Sequence, residues 1–140
     1  MNRKLKIDKH FTPCQVDDDD ELYPNGIFVF NITKMTEYIR NSNITCEAVL
    51  VKDFSNGFSK FNEDHLPSVD VTKPVIVAEI SPGRHNVIDG NHRLEKARRL
   101  GMEKVPAYRL SPEHHLQFLT TEKGYLAYIE YWNSKLKDLE

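Results

Sequence analysis

The run V-I-D-G-N-H-R-L-E-K-A-R-R-L-G from Val87 to Gly101 constrains what this chain can fold into more than any other stretch. Two β-branched residues enter Asp89-Gly90, where glycine opens backbone conformations closed to other residues, and a helical pattern begins at once. It reads as strand, tight turn, helix, stop. The predicted helix starts at Asn91 as N-cap, turns Leu94, Ala97 and Leu100 inward, and stops at Gly101, with Arg98 and Arg99 complementing its dipole. The turn therefore stands at a helix N-terminus, where backbone N–H groups lack intrahelical partners and the dipole is positive. His92 and Arg93 add donors. Gly90, Asn91, His92 and Arg93 are the candidate phosphate-binding residues. Arg93 opposes the dipole, so an anion or a carboxylate is expected beside it. Asp89 has two readings, a hydrogen bond that fixes the turn or a catalytic role, and His92 has two as well, phosphate contact or packing at the helix start.

At 140 residues the chain is expected to form one domain with a core that needs no staples. The net charge of −2 argues against wholesale binding to nucleic acid or anionic membrane. The charge is uneven, however. Asp17 to Glu21 is an acidic run, read as a solvated loop, because it lacks the alternating spacing and glycine of a calcium loop. Around the predicted helix Arg93, Lys96, Arg98, Arg99, Lys104 and Arg109 outnumber Glu95 and Glu103, so Arg98 and Arg99 are candidates for a nucleic-acid or partner surface. No apolar leader opens the sequence and no run is long enough to span a bilayer, from which a cytoplasmic protein with no membrane partner is expected. Cys14 and Cys46 are in neither C-x-x-C nor zinc spacing and are read as unpaired thiols, a disulfide being the other reading. The His114-His115 pair and the acidic run give no metal-ligand spacing, so no metal site is expected.

Along the chain, Leu22 to Gly26 reads as a turn, Ile27 to Ile32 as a strand, and Lys34 to Arg40 as a helix capped by Thr33, with Met35, Tyr38 and Ile39 on one face. Glu47 to Val51 is undecided between strand and helix. Asp53 to Asn62 alternates aromatics with small polar residues, a surface loop whose aromatics anchor to the core, base stacking being the other reading. Pro74 to Ile80 and Arg84 to Ile88 form a hairpin through Ser81-Pro82-Gly83-Arg84, and Val105 to Leu110 is a further strand. Helices are expected at Glu113 to Thr120 and Tyr125 to Leu139. In the second, Tyr125, Tyr128, Ile129, Trp132 and Leu136 share a face that reads first as core packing, then as a dimer or partner surface through Tyr128 and Trp132.

Asp89-Gly90-Asn91-His92-Arg93, with Leu94 to Ala97, Leu100-Gly101, Val105-Pro106 and the upstream Pro74-Val75-Ile76-Val77, resembles the signature of the ParB/sulfiredoxin superfamily over residues 22 to 110. The resemblance implies an α+β fold of a small mixed sheet with packed helices, residues 1–21 forming an N-terminal segment and 111–140 a C-terminal helical extension of the same domain. It also implies a nucleotide, ATP, ADP or CTP, with Mg²⁺, at the turn. ParB-type segregation proteins carry a helix-turn-helix after this domain, for which too few residues remain, and their turn is usually G-E-R-R. Sulfiredoxins carry G-C-H-R; Asn91 stands where their cysteine would, which excludes sulfiredoxin chemistry. A branch with D-G-H-H-R includes small phosphotransferases such as a free-serine kinase. By that resemblance Asp89 would orient a hydroxyl or Mg²⁺, Arg93 would hold the transferring phosphate, and Glu47 or Glu79 would be the general base. The "ParB-like nuclease" label ranks lower, since no carboxylate cluster for metal-dependent cleavage stands out. The expected function is a nucleotide- or phosphate-binding protein, an NTP-dependent hydrolase or phosphotransferase, against a non-catalytic module for nucleic acid or a protein partner.

Overall fold

The computed structural model describes residues 3–54 and 61–139, and over these residues the chain is a mixed α+β protein with two sheets and four α-helices. In order these are β1 (Leu22–Asn25), β2 (Phe28–Asn31), α1 (Ile32–Arg40), β3 (Cys46–Leu50), β4 (Val75–Ser81), β5 (Arg84–Asp89), α2 (Asn91–Arg99), β6 (Lys104–Leu110), α3 (Pro112–His115) and α4 (Glu122–Asp138). One sheet is β1-β2 and the other has the order β3-β6-β4-β5. The α+β expectation is met. The chain divides into two compact units, Met1–Asn43 with Ala78–His85 and Leu110–Glu140, and Ile44–Val77 with Asn86–Arg109.

In the first unit β1 pairs antiparallel with β2, Leu22 opposite Asn31 and Asn25 opposite Phe28. The expected turn at Leu22 to Asn25 is thus a strand, because an edge strand needs only half its backbone groups paired and so tolerates Pro24. Ile27 falls in the connecting turn, 43% exposed, rather than in the strand. The cap of α1 is Asn31, whose side chain accepts from Lys34 N–H at 3.0 Å; Thr33 instead accepts from Glu21 N–H at 2.8 Å. The predicted helix at 113–120 is a single α turn followed by a 3₁₀ turn at Leu116–Phe118, and Leu119 bridges to Phe30. Helix α4 begins earlier than expected, capped by Thr121, and buries Tyr125, Tyr128, Ile129 and Trp132. This is the amphipathic stripe the sequence carries; α4 packs on β2, and the Tyr128 ring meets Phe28.

In the second unit the undecided stretch at 47–51 resolves as β3, paired antiparallel with β6, Cys46 opposite Tyr108, followed by a 3₁₀ turn at Val51–Phe54. Its core joins Val49, Val51, Val75, Val77, Val87, Leu94, Ala97, Val105 and Ala107, with Phe54 packed against it. Leu94 and Ala97 of α2 face inward as expected, but Leu100 is 61% exposed. The helix ends at Arg99, and Leu100 passes into the C-cap instead of the buried face. The aromatics of the 53–62 loop include Phe58, which lies outside the described residues.

Candidate functional site

Strand β5 runs into the turn, and Gly90 there takes φ +98°, the left-handed region that favours glycine. Its carbonyl opens α2 by accepting from Leu94 N–H at 3.0 Å. Space excludes other residues as firmly as conformation does: a Cβ on Gly90 would lie 2.6 Å from Val75 Cγ1 and 3.2 Å from Arg93 Nη1. Gly90, not Asn91, is the N-cap, so α2 begins with no side-chain cap and no acidic residue in its first turn. Helices α1 and α4 are both capped by side chains.

Around that bare end the named side chains are held in place. Arg93 Nη1 donates to the Pro74 carbonyl at 2.7 Å and lies 3.8 Å from Asp89 Oδ2, the carboxylate expected beside it. Asn91 reaches back to the Val87 carbonyl at 3.4 Å. His92 accepts from Asn62 N–H through Nε2 at 3.3 Å, and its ring meets the edges of Phe61 and His65, with centroids 5.5 and 5.4 Å away. One helical turn on, Lys96 donates to the carbonyls of Pro67 and Val69 at 2.8 and 2.7 Å, which fastens that loop to α2. Residue type alone does not point to Lys96, His65 or the Pro74 carbonyl as parts of the site. Only the i, i+3 spacing of Arg93 and Lys96 links the first of these to it.

The other candidates are more committed elsewhere. Arg98 and Arg99 are partly exposed, but both are ion-paired to the buried Glu95 at 2.6 Å, and Arg99 also meets Glu63 at 2.9 Å. Hydrogen bonding from Arg98, ahead of the opposing effect of burial, and then from Arg99, pulls the Glu95 carboxyl down to about 2. Glu47, in the second unit, pairs with Arg109 at 2.5 Å. Glu79, in the first unit, accepts both prongs of the Arg3 guanidinium at 2.8 and 2.7 Å and the Gly83 N–H at 2.8 Å. Burial pushes its carboxyl up, yet Arg3 and the Gly83 N–H outweigh that and hold it below the usual range. Tyr128 and Trp132, weighed as a partner surface, are 0% and 1% exposed: Tyr128 lies in the core and Trp132 lies beneath Arg3.

Among the described residues no three His, Cys, Asp or Glu side chains gather as a metal site would require, and no helix is long and apolar enough to cross a membrane. No family model matches the chain, and no curated protein matches it in sequence. Among solved structures it is similar to the C-terminally truncated chromosome-partitioning protein ParB from Caulobacter crescentus complexed with CTP-gamma-S. The two share 17% identity at a TM-score of 0.39, over 61% of this chain and 50% of that one.

Proposed function

We propose that the chain binds a nucleotide or a phosphorylated small molecule, its phosphate seated at the Asp89–Arg93 turn. The observation that carries this reading is the N-terminus of α2, which has no side-chain cap and no acidic residue in its first turn and is opened by a left-handed glycine packed against Val75. A phosphate oxygen would accept the first-turn N–H groups, and Arg93 and His92 would supply further donors. The motif's resemblance to the ParB/sulfiredoxin superfamily points the same way and selects ATP, ADP or CTP as first ligands. Mg²⁺ would arrive on the nucleotide phosphates, with Asp89 the carboxylate at the turn.

Turnover is a second step. In a hydrolase or phosphotransferase Asp89 would orient the acceptor, with Glu47 or Glu79 as base. Both glutamates are engaged by arginines, Arg109 and Arg3, and that engagement favours a non-catalytic binding module as the other reading. One experiment separates them. The thermal midpoint is measured against ATP, ADP, CTP and GTP with and without Mg²⁺, for the natural chain, Arg93→Ala and Asp89→Ala, alongside phosphate release. A nucleotide that raises the midpoint of the natural chain and not of Arg93→Ala supports the site. Phosphate release lost in Asp89→Ala makes it an enzyme; binding that survives Asp89→Ala with no release makes it a module. No shift with any nucleotide overturns the nucleotide reading and leaves the binding module as the better account.

A further inference from the structure

In the first unit, residues 3 to 8 lie along α4, held by main-chain hydrogen bonds at Arg3, Leu5 and Asp8. Asn133 clamps Leu5 on both sides, its Oδ1 accepting from Leu5 N–H and its Nδ2 donating to Leu5 C=O, each at 2.9 Å. Trp132 Nε1–H donates to the Arg3 carbonyl at 2.9 Å, and the Tyr125 hydroxyl accepts from Asp8 N–H at 2.8 Å. The Arg3 side chain is read specifically. The Arg3 guanidinium forks onto the buried carboxylate of Glu79 and stands 4.8 Å from the Trp132 ring centre.

These contacts follow the logic of extended-peptide recognition, in which main-chain hydrogen bonds supply affinity and one pocket supplies specificity. None of them needs the segment to be covalently joined to the groove. The segment also holds on lightly: Ile7 is 56% exposed, Leu5 only half-buried, and little apolar area is removed from water. Nor does it fill its seat. A cleft of about 240 Å³ remains beside Arg3, Lys4 and Leu5, walled by Ser111, Pro112, Glu113 and Trp132. Glu113 and Glu79 give the groove an acidic character that matches the R-K-L-K sequence lying in it.

We propose that this groove is a recognition site for an extended, arginine-bearing basic segment of a protein partner, occupied in cis by residues 3 to 8. The partner's arginine takes the place of Arg3 on Glu79, and its chain fills the cleft that the cis segment leaves open.

The test uses the full chain carrying Arg3→Ala, and a fluorescein-labelled peptide of residues 3–12 as the probe. Trp132, the only tryptophan, reports whether the groove is vacated. The expected results are a shift in Trp132 emission in the variant and peptide binding by anisotropy that is tighter than in the natural chain, whose own segment competes. A peptide with alanine in place of its arginine should bind at least about tenfold more weakly, the scale of a lost charge-assisted fork. Glu79→Gln should remove that preference. Should Arg3→Ala lose the natural far-UV signature, Leu5→Pro takes its place, since it deletes an N–H of the segment and alters nothing in the groove. Unchanged Trp132 emission, no binding by a folded variant, or equal binding of the two peptides each overturns the proposal.

Discussion

His115 Nε2–H donates to the Glu79 carbonyl at 2.8 Å, and that bond fixes the tautomer, leaving the buried Nδ1 as an acceptor with no partner among the described residues. The Tyr128 hydroxyl donates to the same carbonyl at 2.6 Å. Protonating His115 would place a charge on a ring with nothing to receive its second N–H. Burial accordingly pulls its pKa to about 4, against the opposing effect of the Glu79 bond.

Stability should therefore fall with acid in a defined window. The unfolded imidazole titrates at its ordinary 6.5 and the folded one at about 4, so between those values the unfolded chain binds the extra proton. The contribution is complete above pH 6.5 and is lost as pH drops, by up to about 1.4 kcal/mol per unit. Urea midpoints at pH 7, 6 and 5 measure it, above the range where carboxylates take part. His115→Gln, which can keep a donor toward the Glu79 carbonyl, should flatten the slope; an unaltered slope would assign it to another group.

Gly90→Ala should destabilise the fold by about 2–4 kcal/mol, combining the left-handed penalty with the contact against Val75. Gly83 supplies the control. It has φ +77°, and a Cβ there would project into open space with nothing within 4 Å, so Gly83→Ala should show the conformational cost alone, about 1–2 kcal/mol. Equal losses in chemical denaturation would mean that the space beside Val75 is immaterial.

Glu95→Gln releases Arg98 and leaves Arg99 with Glu63 as its remaining acidic partner. With both arginines partly exposed, the cost in stability should stay near 1 kcal/mol. Because the folded carboxyl titrates at about 2, below its ordinary 4.5, the glutamate contributes fully above pH 4.5 and loses its contribution as pH falls toward 2. The larger effect should be on charge: the variant should elute from heparin at higher salt than the natural chain, and identical elution would show that Glu95 does not mask the pair.

Arg3→Ala leaves the Glu79 carboxylate, whose side chain is 7% exposed, without its ion partner. A loss of about 1–3 kcal/mol is expected, moderated because Arg3 itself reaches solvent. Adding Glu79→Gln should cost less in that background than in the natural chain. Strict additivity in the double-mutant cycle would deny the coupling.

What could be read from the sequence was local and periodic. The β-branched runs either side of Pro82-Gly83 delivered the β4–β5 hairpin, and the 3.6-residue spacing of Tyr125, Tyr128, Ile129 and Trp132 delivered the buried face of α4. Errors gathered at element ends. Asn31 and Thr33 are both good caps, and which one serves depends on Glu21 N–H claiming the threonine. Leu100 fits the helical pattern but falls one residue past the last turn. At the candidate site, Gly90 and Arg93 announce themselves by residue type, whereas Lys96 acts through carbonyls of Pro67 and Val69, which leave no trace in residue type. Arg3 was illegible for a similar reason: it sits in a segment without periodicity, and its partner Glu79 is 76 positions away.

That separation also acts in time. The bonds that seat Leu5 on Asn133 close a loop of 128 residues, and those of Asp8 on Tyr125 one of 117. During synthesis the groove does not exist until α4 has been made, so residues 3 to 8, among the first of these 140 to be joined, are among the last to find their place. Throughout elongation they remain open to whatever else in the cell binds a short basic segment.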